Sequence, residues 1–235
     1  MSIELVGLDA DDTLWHNEGH FNAMEDRFCE LMEPWCDAKG VSAALLEKER
    51  ENIDLLGYGG KAFTISIIET AVEISRGEID GVRIGKIVQL GRDLLEHPVE
   101  LLDGVPEAIA ELDEDFRLVL ITKGDINHQK SKLVRSGLVD AFERVDIVAE
   151  KDPPTYARLL SHLRVVPDAF CMVGNSVRSD ILPVLQIGGS GVHVPYPTTW
   201  ELEHAEVDDE HPDIVEVPSI TAAPGAVRSL ADGRS

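Results

Sequence analysis

Within its first thirteen residues the chain carries Asp9, Asp11, Asp12 and Thr13, written D-A-D-D-T, directly after the apolar run Ile3-Glu4-Leu5-Val6-Gly7-Leu8. Like charges this close repel, so a compensating charge is expected nearby. Polar residues follow later apolar runs too: Thr122 and Lys123 after 118–121, Glu150 and Lys151 after 145–148, Asn175, Ser176 and Asp180 after 170–173. Clustered carboxylates suit a hard divalent cation. Mg²⁺ takes one or two protein carboxylates and completes its shell with water and substrate phosphate. An aspartate beside such an ion can attack phosphorus and form an aspartyl-phosphate. A second carboxyl two residues on can protonate the leaving oxygen and then activate water. A lysine, a hydroxyl and backbone N–H groups can hold the charge spread over a transferring phosphoryl group.

Each residue also has a plainer role. Asp12 reads as a turn former, Thr122 as a strand end, Lys151 as a solvated lysine, and Asn175-Ser176 as a helix cap before Val177. Their shared placement is what favours chemistry, because ligands of open α/β sheets bind outside the carboxyl ends of the strands.

The elements that would position them are legible. Apolar runs at 3–8, 116–122, 145–148, 169–173, 191–194 and 214–217 read as strands, several continuously apolar, as in sheets covered on both faces. Tyr156, Leu159, Leu160 and Leu163 recur at helical spacing after Pro153-Pro154, a favoured helix start. Strand–helix alternation from about residue 100 implies βαβ units and a Rossmann-like parallel sheet with helices on both faces. Residues 17–96 differ. Phe21, Met24, Phe28, Leu31, Met32 and Trp35 form one helical stripe, and further helical patterns run through 42–56, 63–76 and 80–96, separated by glycine-containing breaks. The expected organisation is an α/β core of residues 1–16 and 97–235 with an all-helical cap, 17–96, inserted after the first strand. The segment after Pro218, rich in small and polar residues, is expected to be frayed.

Composition narrows the function. With 44 Asp and Glu against 21 Lys and Arg the net charge is −23, a field that repels nucleic-acid phosphates and anionic lipid. No run approaches the ~18 apolar residues of a membrane span, and the start shows no basic-then-apolar signal. Cys29 and Cys36, seven apart on one helical stripe, stand about 10 Å apart along the axis. That is too far for a disulfide, whose Cα atoms lie within about 7 Å. Reduced thiols and a cytoplasmic home are expected. Oligomeric state is not legible.

The sequence resembles the haloacid dehalogenase (HAD) superfamily, in its phosphatase-like branch with a helical cap after the first strand. The family pattern D-x-D-x-T is met by Asp9-Ala10-Asp11-Asp12-Thr13, the apolar strand ending in Thr by Leu118-Val119-Leu120-Ile121-Thr122, and the lysine before a proline helix start by Lys151-Asp152-Pro153-Pro154. The final acidic motif is met by Val173-Gly174-Asn175-Ser176-Val177-Arg178-Ser179-Asp180. The resemblance implies Asp9 as nucleophile and Mg²⁺ ligand, and Asp11 as acid/base lending its carbonyl to the metal. It implies Thr122 with the following N–H groups, including those at Lys123, on the phosphoryl oxygens. Lys151 would bridge nucleophile and phosphate, and Asn175 and Asp180 would complete the metal site. Three positions depart from the pattern: Asp12 where Gly is frequent, Asp152 between Lys151 and the prolines, and Asn175 where Asp is usual.

The expected function is Mg²⁺-dependent hydrolysis of a small phosphorylated metabolite. A 2-haloacid dehalogenase would need the nucleophile but neither metal nor acid, so the second aspartate, Asp11, argues for phosphoryl transfer. A phosphomutase shares these residues, and a non-catalytic binding protein of this fold would be expected to lose Asp9 or Asp11. His16 and His20 are four apart, but Asn17 stands where the zinc-protease pattern has Glu, and Gly19 weakens a helix there; they read as a solvated hinge. In the cap, Gly57-Tyr58-Gly59-Gly60 reads as a flexible turn whose neighbour Lys61 is a cation for an anionic substrate.

Overall fold

The apolar runs become strands in the computed structural model, which describes residues 2–206 and 211–233. These are β1 (Leu5–Leu8), β2 (Arg117–Lys123), β3 (Arg144–Val148), β4 (Phe170–Gly174), β5 (Ser190–His193) and β6 (Ile214–Glu216). All pair in parallel, in the order β3-β2-β1-β4-β5-β6. The helices are α1 (Glu18–Met32), α2 (Ala38–Leu56), α3 (Gly60–Ile74), α4 (Gly81–Glu96), α5 (Val105–Asp113), α6 (Ile126–Ser136), α7 (Pro153–Leu163), α8 (Leu182–Gln186) and α9 (Ala223–Gly233). The fold is therefore the expected α/β Rossmann-like one.

Continuous apolarity in β1, β2 and β4 has a direct cause. Side chains of a strand alternate between faces, and both faces are covered. Val6, Leu8, Leu118, Leu120, Cys171 and Val173 join one core with Val105, Ile109 and Leu112 of α5 and Val227 and Leu230 of α9. Leu5, Val119, Ile121, Phe170 and Met172 join a second core with Tyr156, Leu159 and Leu160 of α7 and Val184 of α8. A one-residue slip in any of these strands would exchange the two sets.

The described residues divide into two compact units, one drawn from Met1–His16, Val99–Lys123 and Gln129–Ser235, the other from Asn17–Pro98 with Gly124–His128. The second is helical, and its short second segment has no counterpart in the sequence reading. Met24, Phe28 and Met32 of the expected stripe are buried with Val41, Leu45, Phe63, Ile67 and Ile87, while Phe21, Leu31 and Trp35 are partly buried against them. α1 does run through Gly19, since packing of that stripe outweighs the glycine's cost of about 1 kcal/mol. Between α2 and α3 the chain turns with Gly57 at φ +69° and Gly59 at φ +105°, backbone that favours glycine.

One expectation fails. The segment after Pro218 is not frayed: α9 follows a 3₁₀ turn at Ile220–Ala222 and buries Ala223, Ala226, Val227, Leu230 and Ala231 at helical spacing. Arg228 anchors it by ion pairs to Glu111 and, at 2.7 Å, to Asp115. The small residues that looked like loop material are what lets the helix lie close on its core. Residues 234 and 235 of that segment lie outside the described residues.

Candidate active site

Asp9 follows β1, the strand flanked by β2 and β4, where the order of a 3-2-1-4-5-6 sheet reverses direction and ligands bind. Its N–H donates to Val173 O (2.9 Å), so the chain leaves the sheet still in register. The next turn brings Asp12 to φ +63° with its N–H on Trp15 O (2.8 Å). A left-handed residue explains why glycine suits this position; aspartate is among the few others that tolerate it.

Two sequence-distant segments, 151 and 174–180, meet around Asp9 together with the neighbouring Thr13. Lys151, after β3, is buried and donates to Asp9 Oδ1 and, at 2.6 Å, to Asp180 Oδ1. Asp180 Oδ2 accepts from Ser176 N (3.0 Å). Gly174 is required for this approach, because a Cβ there would stand 2.3 Å from Asp180 Oδ2. Thr13 Oγ1 lies 3.2 Å from both Asp9 Oδ2 and Asn175 Oδ1 and accepts from Asn175 N (3.1 Å). Asn175 is thus joined to Asp9 through a hydroxyl, and its main-chain carbonyl faces His193 Nε2 at 3.1 Å.

The charges are not balanced. Burial pushes the Asp9 carboxyl up to about 7; Lys151 opposes that rise, while Asp180 and Asp11 add to it. Burial would lower the Lys151 ammonium, but Asp180 and Asp9 outweigh it and hold it above its ordinary range. One ammonium thus serves two carboxylates. A pair of buried carboxylates, an amide oxygen and a surplus negative charge make a hard-oxygen donor set of the kind Mg²⁺ takes. Among the described residues no group of three or more His, Cys, Asp or Glu is clustered closely enough to hold a metal by itself. Water and substrate oxygens would complete any such shell.

Asp11 has separate partners. Its Oδ1 accepts from Trp15 Nε1 (2.6 Å) and Lys132 Nζ (2.6 Å), and its Oδ2 from Gln129 Nε2 (3.0 Å). Burial alone would raise this carboxyl, but the Lys132 ammonium and these donors hold it below the usual carboxylate range. Gln129 Nε2 also reaches Thr122 Oγ1 (2.9 Å) and Lys123 O (2.8 Å), tying Asp11 to the end of β2. Lys123 is engaged within the protein: its Nζ donates to Glu203 (2.6 Å), Ser179 (2.8 Å) and Glu150 (3.3 Å).

Asp9, Asp11, Thr122, Lys123, Lys151, Asn175 and Asp180 all fall in the sheet unit. Lys61 falls in the helical unit, where it pairs with Asp125 at 3.0 Å. Asp152 caps α7, accepting from Thr155 N (2.8 Å), which accounts for its place before the prolines. Ser176 caps the π-helical turn Val177–Ile181, accepting from Ser179 N (3.0 Å), so the capping role applies to Ser176 while Asn175 joins the site. The histidines have different partners: His16 Nδ1 meets Tyr196 OH at 2.8 Å, and His20 stacks on His97. Sequence reasoning missed Gln129, Lys132, Trp15 and Glu203. Gln129 and Lys132, three apart on α6, present one face, but nothing in the sequence distinguishes that face from a solvated one.

Comparison with known proteins places this arrangement. The profile of haloacid dehalogenase-like hydrolases matches residues 3–188. A haloacid dehalogenase-like family hydrolase from Xanthomonas campestris is 43% identical, with TM-score 0.90 over 99% of this chain and 94% of that one. A 2-haloacid dehalogenase from Pseudomonas syringae pv. tomato shares the fold at 19% identity, TM-score 0.63, over 97% of this chain and 99% of that one. The HAD-hydrolase YfnB from Bacillus subtilis, solved bound to magnesium, shares it at 15% identity, TM-score 0.68, over 97% and 99%. No curated protein matches the sequence. A profile match across most of the chain, over the strands and turns that assemble Asp9, Lys151 and Asp180, shows that this protein belongs to the haloacid dehalogenase-like hydrolases.

Proposed function

We propose that the protein is a Mg²⁺-dependent phosphohydrolase acting on a small phosphomonoester through an aspartyl-phosphate on Asp9. The observation that carries this reading is the buried Asp9 carboxylate at the carboxyl end of β1, held between Lys151 and Thr13 with Asp180 across Lys151. Asp9 attacks phosphorus and the ester oxygen leaves, taking a proton from Asp11. Water then attacks the same phosphorus, Asp11 accepts its proton, the Asp9–phosphorus bond breaks and phosphate is released.

Asp9, the Asp11 carbonyl, Asn175 and Asp180 would hold Mg²⁺, which when bound supplies positive charge against the phosphoryl oxygens. Lys151 keeps Asp9 oriented and offsets phosphate charge, and Thr122 with the N–H groups after it holds phosphoryl oxygens. Asp11 paired to Lys132 is ionised, the form that accepts a proton from water. Donating a proton in the first half requires that pairing to loosen, so Lys132 sets how readily Asp11 changes role. Lys61 would be a cation for the substrate's leaving group.

A 2-haloacid dehalogenase, the class of the Pseudomonas syringae neighbour, would share the nucleophile. The network around Asp11 favours phosphoryl transfer, because displacing halide from carbon has no use for a held proton carrier. The test is an assay of phosphate release from an aryl phosphate with Mg²⁺, run beside halide release from 2-chloropropionate. Phosphate release that Asp9→Asn abolishes is the expected outcome. Halide release alone, or full phosphatase activity in Asp9→Asn, would overturn the reading.

A further inference from the structure

Glu203 lies in a 3₁₀ turn, Glu201–Glu203, on the connection between β5 and β6, outside every motif that suggested chemistry. Its side chain is only 15% exposed. Oε1 accepts from Lys123 Nζ (2.6 Å), and Oε2 from Ser176 Oγ (2.7 Å) and Ser179 Oγ (2.5 Å). A carboxylate that takes three donors from two other segments is a clamp rather than a solvated surface group. Burial would raise its pKa, but Lys123 and the two serines outweigh this and keep it ionised. The backbone of the same turn is held as well, since Arg178 Nη1 donates to Leu202 O (2.6 Å).

The clamped serines belong to the turn that presents Asp180. Ser176 N donates to Asp180 Oδ2 (3.0 Å), Asp180 N to Ser176 O (2.8 Å) and Ser179 N to Ser176 Oγ (3.0 Å). Tyr156 OH of α7 donates to Ser179 O (3.0 Å), holding the turn from another side. A π-helical turn has weak intrinsic order and is maintained by such outside contacts.

We propose that Glu203 is a positioning residue. By clamping Ser176, Ser179 and Lys123 it fixes the turn that aims Asp180 at Lys151, and it withholds the Lys123 ammonium from ligands at the end of β2. Its consequence for metal affinity rests on the function proposed above; its mechanical role does not. A carboxylate is needed because a single group must accept from an ammonium and two hydroxyls at once. Glutamine offers one acceptor oxygen, and its amide group would oppose the hydroxyl donors.

The test compares Glu203→Gln and Glu203→Ala with Glu201→Gln, an exposed neighbour on the same turn, as control. Hydrogen exchange without metal measures positioning directly. The amides of 176–181 should exchange roughly fivefold or more faster in both Glu203 variants and unchanged in the control. Unchanged exchange in Glu203→Gln overturns the proposal, and that variant keeps it decidable should Glu203→Ala not fold. The Mg²⁺ concentration giving half of the maximal thermal shift should rise roughly tenfold, the usual scale for losing an outer contact to a ligand. With aryl phosphate, kcat should fall while KM changes less than about twofold, since a positioning defect acts on the reacting geometry rather than on binding. Faster exchange with an unmoved Mg²⁺ midpoint and unmoved kcat would overturn the link to Asp180. A wild type without any Mg²⁺ response would overturn the magnesium reading, and the exchange measurement would still decide the role of Glu203.

Discussion

Two aspartates two residues apart, Asp9 and Asp11, sit in opposite electrostatic circumstances. Asp9 shares one ammonium, Lys151, with Asp180, and its carboxyl is pushed up to about 7. Asp11 has the Lys132 ammonium and two N–H donors, from Trp15 and Gln129, and is held below the ordinary range. The first cluster is short of positive charge and would be satisfied by a cation; the second is complete. Two carboxylates of the same motif thus differ through what distant segments bring to them, as expected when burial and neighbours rather than residue type set pKa values.

The largest test of this contrast removes each lysine. Lys151→Met leaves two buried carboxylates without their ammonium and should cost about 3–5 kcal/mol of stability, the range for breaking a buried pair from one side. Lys132→Met should cost less, because Asp11 is 26% exposed and keeps Trp15 and Gln129. Urea denaturation without metal measures both, and equal losses would remove the contrast.

A second test uses pH. The Asp9 carboxyl is raised in the folded protein from an ordinary 3.8 to about 7, so the native state binds its proton more tightly than the unfolded one. Its contribution is fully present below about 3.8 and is lost as pH rises to about 7. Asp11 is lowered, so its contribution is present above 3.8 and is lost as pH falls through the lower folded value. Without metal, Asp9→Asn should flatten the decline between those two pH values, and Asp11→Asn should flatten the loss on the acid side. Saturating Mg²⁺ should flatten the first slope in the wild type, because the cation favours the ionised carboxylate. Slopes of the same sign would contradict the opposed environments.

Smaller effects sharpen the picture. Asn175→Asp adds a carboxylate beside Thr13 and should lower the Mg²⁺ needed for half-activity several-fold, consistent with affinity tuned by ligand charge. An unchanged requirement would remove Asn175 from the donor set. Lys61→Ala should be the mildest. Its pair with Asp125 is 53% exposed on the lysine side and is worth at most about 1 kcal/mol. A KM increase of about twofold with constant kcat is the outcome expected of a solvated contact to substrate; a fall in kcat instead would place Lys61 nearer the chemistry.

The strands could be read from sequence because their apolarity follows from burial on both faces, a local signature of a global arrangement. Asp9, Thr122, Lys151 and Asp180 were readable for the same reason, since polar residues ending apolar runs must stand at one sheet edge once the strands are parallel. α9 was misread because Ala-Pro-Gly and the closing Ala-Asp-Gly signal a loop by their proline and glycines, yet Ala223, Ala226, Val227 and Leu230 recur at helical spacing and form its buried face. Glu203 and Lys132 were invisible, as an isolated glutamate and a helical lysine look like the solvated majority.

The sequence by itself determined the sheet, the order of its motifs and which residue types stand at its carboxyl edge, because hydrophobic periodicity and strand-end placement are short-range properties. Only the tertiary structure decided that Asp9 and Asp11 are electrostatically unlike, that Thr13 joins Asn175 to Asp9, and that Glu203 clamps the turn of Asp180. Those facts depend on distances between residues 24 to 162 positions apart in the chain, or on burial, and electrostatic interaction is set by distance and dielectric rather than by sequence neighbourhood.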